Sequence, residues 1–385
     1  IAEVFLFIND RGVNKSVVST EIFEGNVFSW TSKYRSISFN QFGKEFPLGG
    51  MNEHGLVIEE LNMPTVTCTH DSTKYNINEF QLTQYILDNC KTINEVVKEL
   101  NKFQYNVLFL HLHYIVADKN PDVLIIEFDG SEFNMYYPNK TGFPILSNNK
   151  YNESLKYLQN FQGFGGNLPI KNREGSNERF VSIANMLLHS DIDNPIEYAY
   201  NMLDTVKQED TQWSIVYDIK NLTVYFKFKD CNLIKKFNFK ELVTKQSVFA
   251  LGAKLSDCNA ATNNDLHKIN IEDNTQLLQK VMQQIESLTN ISIDYDLLYK
   301  MILTGNQSLE AFVPEKIIDE LNKNITELPS VSPLFIEEDN YINQITDWEN
   351  YQVIALGETT HATREFFEPN SDCLNISLKT KVLEC

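Results

Sequence analysis

Gly49-Gly50-Met51-Asn52-Glu53-His54-Gly55-Leu56-Val57-Ile58-Glu59-Glu60-Leu61-Asn62-Met63-Pro64 is the stretch whose reading decides the fold. The glycines of Gly49–Gly55 read as a turn, because glycine takes positive φ without steric cost, and Leu56–Leu61 behind it reads as a strand. Upstream lie the short strand-like runs Val4–Ile8, Asn26–Trp30 and Arg35–Phe39. Downstream the pattern turns helical: Asn76 and Asn78 precede a one-sided stripe at Phe80, Leu82, Tyr85, Ile86 and Leu87, and Thr92 heads a second helix through Val96, Val97 and Leu100. Strands return at 106–117, 122–128 and 132–137, with Asp129-Gly130 as a hairpin turn between the last two. Helices are expected at 150–160, 177–189 and 195–206, and strands at 211–218, 221–228 and 233–238. Blocks of strands and blocks of helices, without βαβ alternation, predict an α+β fold with largely antiparallel sheets rather than a doubly wound nucleotide fold.

Composition narrows the function classes. The 385 residues carry 42% hydrophobic and 12% aromatic side chains, the latter mostly 25 Phe and 17 Tyr, so the chain can build a large core and is not disordered. No run approaches the roughly 20 apolar residues of a spanning helix, so no membrane partner is expected. Lys+Arg number 33 against 52 Asp+Glu, a net charge of −19, so nucleic acid meets repulsion and a small-molecule substrate is the better expectation. The six cysteines show no CxxC spacing, and His111 and His113, although two apart on one strand face, have no further ligand cluster; no metal or other cofactor is expected, and the histidines are read as core or sheet-face residues. Compartment is not fixed by these residues, with cytoplasm the default, and self-association is left open.

Several motifs resemble, in order, those of the choloylglycine hydrolase and penicillin V acylase family of N-terminal-nucleophile (Ntn) hydrolases. Gly50–Leu56 with Leu61-Asn62-Met63-Pro64 resembles its G-M-N-E-x-G-L … L-N-x-P segment. Leu112-His113-Tyr114 with Asp118, Ile145-Leu146-Ser147-Asn148, Asn177-Glu178-Arg179-Phe180 and Thr211-Gln212-Trp213-Ser214 follow. The resemblance implies a four-layer αββα sandwich and cleavage of linear amides by an N-terminal Cys whose own α-amino group is the base. It also implies an oxyanion hole made by the Asn62 backbone N–H and the Asn148 side-chain amide, with Arg179 beside the nucleophile. Read singly, Asn62 is a strand-end turn, Asn148 a helix cap and Arg179 a first-turn surface charge. The nucleophilic Cys is expected ahead of Ile1, so the polypeptide as it stands is expected to be inactive.

A second resemblance follows a loop-like stretch at 256–265 and helical patterns at 273–288, 294–303 and 340–347. The strand Gln352–Leu356 runs into Gly357-Glu358-Thr359-Thr360-His361, and through Glu365-Phe366 the segment is similar to the G-E-x-T-H-G-x-x-E-F turn of the erythromycin esterase family. This implies His361 as a general base with Glu358 assisting it, at the edge of a sheet. The expected domains are therefore an amidase domain at 1–255, a helical connector at 256–325, and the beginning of an α/β esterase-like domain at 326–385. Hydrolysis of non-peptide linear amides, of the bile-salt, penicillin V or acyl-homoserine-lactone type, is the leading expectation. Ester hydrolysis through the C-terminal segment and a non-catalytic binding protein on the same scaffold are the alternatives.

Overall fold

The computed structural model describes residues 5–18, 28–64, 71, 73–120, 122–129, 132–171, 175–188, 194–209, 211–229, 231–239, 251–254, 267–289, 294–309, 325–328, 354–360 and 381–384. The chain opens with β1 (Phe5–Asn9), β2 (Asn14–Ser16), β3 (Ser29–Thr31), β4 (Ser36–Asn40), β5 (Pro47–Asn52), β6 (Val57–Asn62) and β7 (Tyr75–Asn78). Helices α1 (Glu79–Asn89) and α2 (Ile93–Leu100) precede β8 (Phe103–Asn106), β9 (Leu112–Ala117), β10 (Val123–Asp129) and β11 (Glu132–Tyr136). Next come α3 (Pro138–Thr141), β12 (Ile145–Leu146), α4 (Tyr151–Leu158), α5 (Ser176–Leu188) and α6 (Pro195–Val206). The rest comprises β13 (Thr211–Asp218), β14 (Thr223–Phe228), β15 (Cys231–Asn238), β16 (Leu251–Lys254), β17 (His267–Lys268), α7 (Ile271–Thr289), α8 (Tyr295–Gln307), β18 (Ile325–Leu328), β19 (Ile354–Thr360) and β20 (Lys381–Glu384).

Two antiparallel sheets form the body. The larger runs β11-β10-β9-β6-β5-β4-β1-β16-β17 and the smaller β12-β20-β19-β13-β14-β15-β18. They face each other, with Tyr217 of β13 hydrogen-bonded to Glu59 of β6 and the Phe39 and Phe226 rings 5.7 Å apart. α1 covers the outer face of the larger sheet, and α5 and α6 pack on the smaller. The result is the expected antiparallel α+β architecture with helices outside two stacked sheets. Asn78 caps α1 by accepting the Gln81 N–H, and Thr92 caps α2 by accepting that of Glu95. α2 buries only Ile93, Val96 and Leu100, whereas every residue of α1 is buried. Leu278 and Val281 of α7 and Met301 of α8 join the same core as the larger sheet, so these helices pack on the sandwich.

Three expectations are refined. The turn in the opening stretch is shorter than its glycines imply: Gly49 and Gly50 lie inside β5, and of the three only Gly55 has positive φ, +81°. The first two are glycine for space, since a Cβ on Gly49 would sit 2.2 Å from the Glu59 carboxylate and one on Gly50 2.2 Å from the Ile37 carbonyl. Of the run 106–117 only Leu112–Ala117 forms a strand, β9, with Asn106 ending β8; between them the amides of Leu108, Phe109 and Leu110 donate to the Glu79 carboxylate at 2.7, 2.6 and 3.0 Å. Finally, the strand expected to end at Leu356 continues to Thr360, and β18, β19 and β20 all belong to the smaller sheet. The helix expected at 340–347 lies outside the described residues.

Candidate active site

β6 ends at Asn62, opposite Leu112 of β9, where the chain leaves the sheet toward Pro64. Asn148 stands just beyond β12, and Arg179 is in the first turn of α5. Three segments distant in sequence thus converge at one corner of the sandwich. The Asn148 side-chain Nδ2 donates to the Asn62 carbonyl at 3.1 Å, and Arg179 Nη2 donates to Asn148 Oδ1 at 2.6 Å. The second bond is charge-assisted and fixes which end of the Asn148 amide is oxygen.

Asn62 is at a strand end, as its local reading has it, whereas Asn148 and Arg179 depart from theirs. Asn148 does not cap α4, whose N-cap position is Lys150 and whose cap makes no side-chain hydrogen bond. Arg179 is no surface charge: it is only 4% exposed, and Asn62 only 3%. The first four residues of α5 each reach the segment that carries Asn148. Ser176 Oγ accepts the Asn149 N–H at 3.1 Å, Asn177 Oδ1 accepts the Ser154 hydroxyl at 3.1 Å, Glu178 Oε1 accepts the Tyr157 hydroxyl at 2.9 Å, and Arg179 makes the bond already described.

The electrostatics along β6 are unusual. Burial pushes the Glu59 carboxyl up to about 8, against the lowering effect of the Tyr217 hydroxyl bonded to it at 2.5 Å. Burial drives Glu60 well above the ordinary carboxyl value, and Glu79 up to about 7 despite its three backbone donors. Cys90 is buried and its thiol is pushed up by desolvation, the opposite of what a nucleophile needs. His113 is fully buried with Nδ1 3.2 Å from Glu127 Oε1, a sheet-face position as expected, and burial lowers the pKa of His111. Among the described residues no group of three or more His, Cys, Asp or Glu is placed to hold a metal, and no helix is long and apolar enough to cross a membrane.

The remaining two predicted residues are not joined to this corner by any hydrogen bond among the described residues. Glu358 lies in β19, its backbone opposite Ser214 of β13, and His361 lies outside the described residues. The polar residue that motif reading missed is Glu127. Its signal was present as a single acid within the apolar run Val123-Leu124-Ile125-Ile126 and Phe128 of a buried strand.

Residues 39–182 match the family described as linear amide C–N hydrolases, choloylglycine hydrolase family. All of Asn62, Asn148 and Arg179 fall within that segment. The chain is similar to hydrolases that act on linear amides. One curated relative is the penicillin V acylase of Pectobacterium atrosepticum, 24% identical over 245 residues, which cover 51% of this chain and 64% of the relative. Another is the bile salt hydrolase/transferase of Lactiplantibacillus plantarum, 29% identical over 148 residues, 35% of this chain and 44% of the relative. The chain thus spans less than two thirds of the length of either. Among solved structures, penicillin V acylase from Agrobacterium tumefaciens superposes with a TM-score of 0.57 at 20% identity, covering 66% of this chain and 84% of its own. A variant of the conjugated bile acid hydrolase from Clostridium perfringens gives 0.51 at 16% identity, covering 62% and 85%. The sandwich described above is therefore the fold of these two solved structures.

Proposed function

We propose that this protein hydrolyses a non-peptide linear amide at the corner formed by Asn62, Asn148 and Arg179. The observation that carries the reading is the partly buried chain of contacts from Arg179 Nη2 to Asn148 Oδ1 and from Asn148 Nδ2 to the Asn62 carbonyl. An amide NH2 has two hydrogens. In this reading, the one bonded to Asn62 holds the Asn148 group still, and the other, with the Asn62 backbone N–H, stabilises the oxyanion of the tetrahedral intermediate. The nucleophile is a cysteine at a processed N-terminus ahead of Ile1, its α-amino group taking the thiol proton and later delivering it to the leaving amine. Water then cleaves the thioester. Arg179 holds Asn148 and favours the thiolate.

The substrate class is a bile-salt conjugate, a penicillin V-type side chain or an acyl-homoserine lactone. The test is the full-length gene product on a panel of such amides, with the initial Cys replaced by Ala as control. Cleavage abolished by that replacement supports the reading. Failure to cleave any amide sinks it and leaves the binding-protein alternative, while cleavage of an ester panel that survives the replacement assigns the activity to the Glu358–His361 segment instead.

A further inference from the structure

α4 has no local cap, and its first amide is satisfied from another layer of the fold. The Tyr151 N–H donates to Glu127 Oε1 at 2.6 Å, and the same oxygen is 3.2 Å from His113 Nδ1. Strand register explains the convergence. Ile125 lies opposite Ile115 and Ile126 opposite Tyr114, so one further step sets Glu127 of β10 opposite His113 of β9. On its other side His113 faces Leu61. Leu61, His113 and Glu127 are thus a row across β6, β9 and β10, one residue from Asn62. Glu127 is 3% exposed and His113 is fully buried. A carboxylate in such a place is costly unless hydrogen-bonded, and a helix N-terminus is a location that favours its negative charge.

Tyr151 follows Asn148 by three residues, so fixing its amide fixes the exit of the turn that carries Asn148. We propose that Glu127 is a positioning residue for the amide-hydrolysis site: held by His113, it caps α4 from the sheet and sets the Asn148 side chain between Asn62 and Arg179. The inference deepens the function proposed above and rests on it for its kinetic consequence, but its structural consequence is independent.

The experiment compares Glu127→Ala and Glu127→Gln with the parent in the full-length gene product. On an amide that the parent cleaves, Glu127→Ala should lower kcat about 10–100-fold while KM changes less than about threefold, as expected for a misplaced transition-state donor. Glu127→Gln should recover most of the loss, because its amide oxygen still accepts the Tyr151 N–H. A crystal structure of Glu127→Ala should show Asn148 withdrawn from Arg179. Unchanged kcat, or an Asn148–Arg179 contact kept at 2.6 Å in Glu127→Ala, overturns the assignment. If Glu127→Ala does not fold, Glu127→Asp carries the same test, since it retains the charge and retracts the oxygen by one methylene. If the parent cleaves no amide, the function proposal falls while the position of Asn148 in the variant crystal still decides this one.

Discussion

Replacing Glu59 by Gln should flatten part of the pH dependence of stability. Glu59 sits between the two sheets, 1% exposed, bonded to Tyr217 and pressed against Gly49, and burial raises its pKa from the ordinary 4.5 to about 8. Below pH 4.5 both folded and unfolded chains hold the proton, and no stability is lost. Between pH 4.5 and 8 the unfolded chain releases a proton that the folded chain keeps, so stability falls as pH rises, and it levels off above 8. At about 1.4 kcal/mol per pH unit, this interval costs about 5 kcal/mol. Gln cannot ionise, keeps an oxygen for the Tyr217 hydroxyl, and matches the protonated acid in shape. The variant should therefore be within about 1 kcal/mol of the parent near pH 5 and exceed it by about 4 kcal/mol near pH 8. Urea unfolding of both proteins at pH 5, 6, 7 and 8 reads this, with the slope from Glu79 common to both and that from Glu60, which the Glu59 charge also raises, smaller in the variant. Parallel profiles across that range, or a variant less stable at pH 8, would refute the reasoning.

Asn148→Ala in the full-length product should lower kcat on a cleaved amide by about 10²–10³-fold, the usual cost of one oxyanion donor, with circular dichroism checking that the fold is kept. Arg179→Lys should be far from conservative, since an ammonium lacks the planar geometry that meets Asn148 Oδ1; kcat/KM about tenfold or more below the parent is expected. Gly49→Ala should destabilise by about 1–3 kcal/mol through its clash with Glu59, and Glu59→Ala in the same chain should restore part of it. Gly50→Ala meets the Ile37 backbone carbonyl instead, so no such rescue is expected, and denaturant midpoints of the variants separate the two cases. Asn78→Ala should cost about 1 kcal/mol by removing the acceptor of the Gln81 N–H, read as a lower unfolding midpoint at unchanged slope.

The elements legible in the sequence were those with a clear period or a cap. α1 and α2 followed from their stripes and from Asn78 and Thr92, and β10, β13 and β14 from apolar runs bounded by turn residues. What the pattern obscured was long-range. Gly49 and Gly50 look like turn residues until Glu59 and Ile37 are seen beside them, and a strand covering 106–117 looks continuous until Glu79 draws three amides out of the ladder. The candidate site residues stood out as an ordered set of motifs, but each alone had an ordinary local explanation. Only tertiary contact separates an asparagine that caps the next helix from one that bridges a strand end and a buried arginine.

That distinction bears on how the corner could work. A side-chain amide is a poor preorganised donor when its torsions are loose, because electrostatic stabilisation of a transition state depends on dipoles that need not reorient. Asn148 is held at both ends of its amide, by the Asn62 carbonyl and by Arg179, while the following turn is tied to α5 through Ser176 and to β10 through Glu127. These four anchors come from three different elements, β6, α5 and β10, so no single local fluctuation frees the group. The same arithmetic makes the corner fragile to substitution: loosening one anchor leaves the side chain present but misaligned, and activity should fall before stability does. A set of variants at Ser176, Glu127 and Arg179 whose kcat losses track unfolding free energy one for one would contradict this and make the corner an ordinary piece of core.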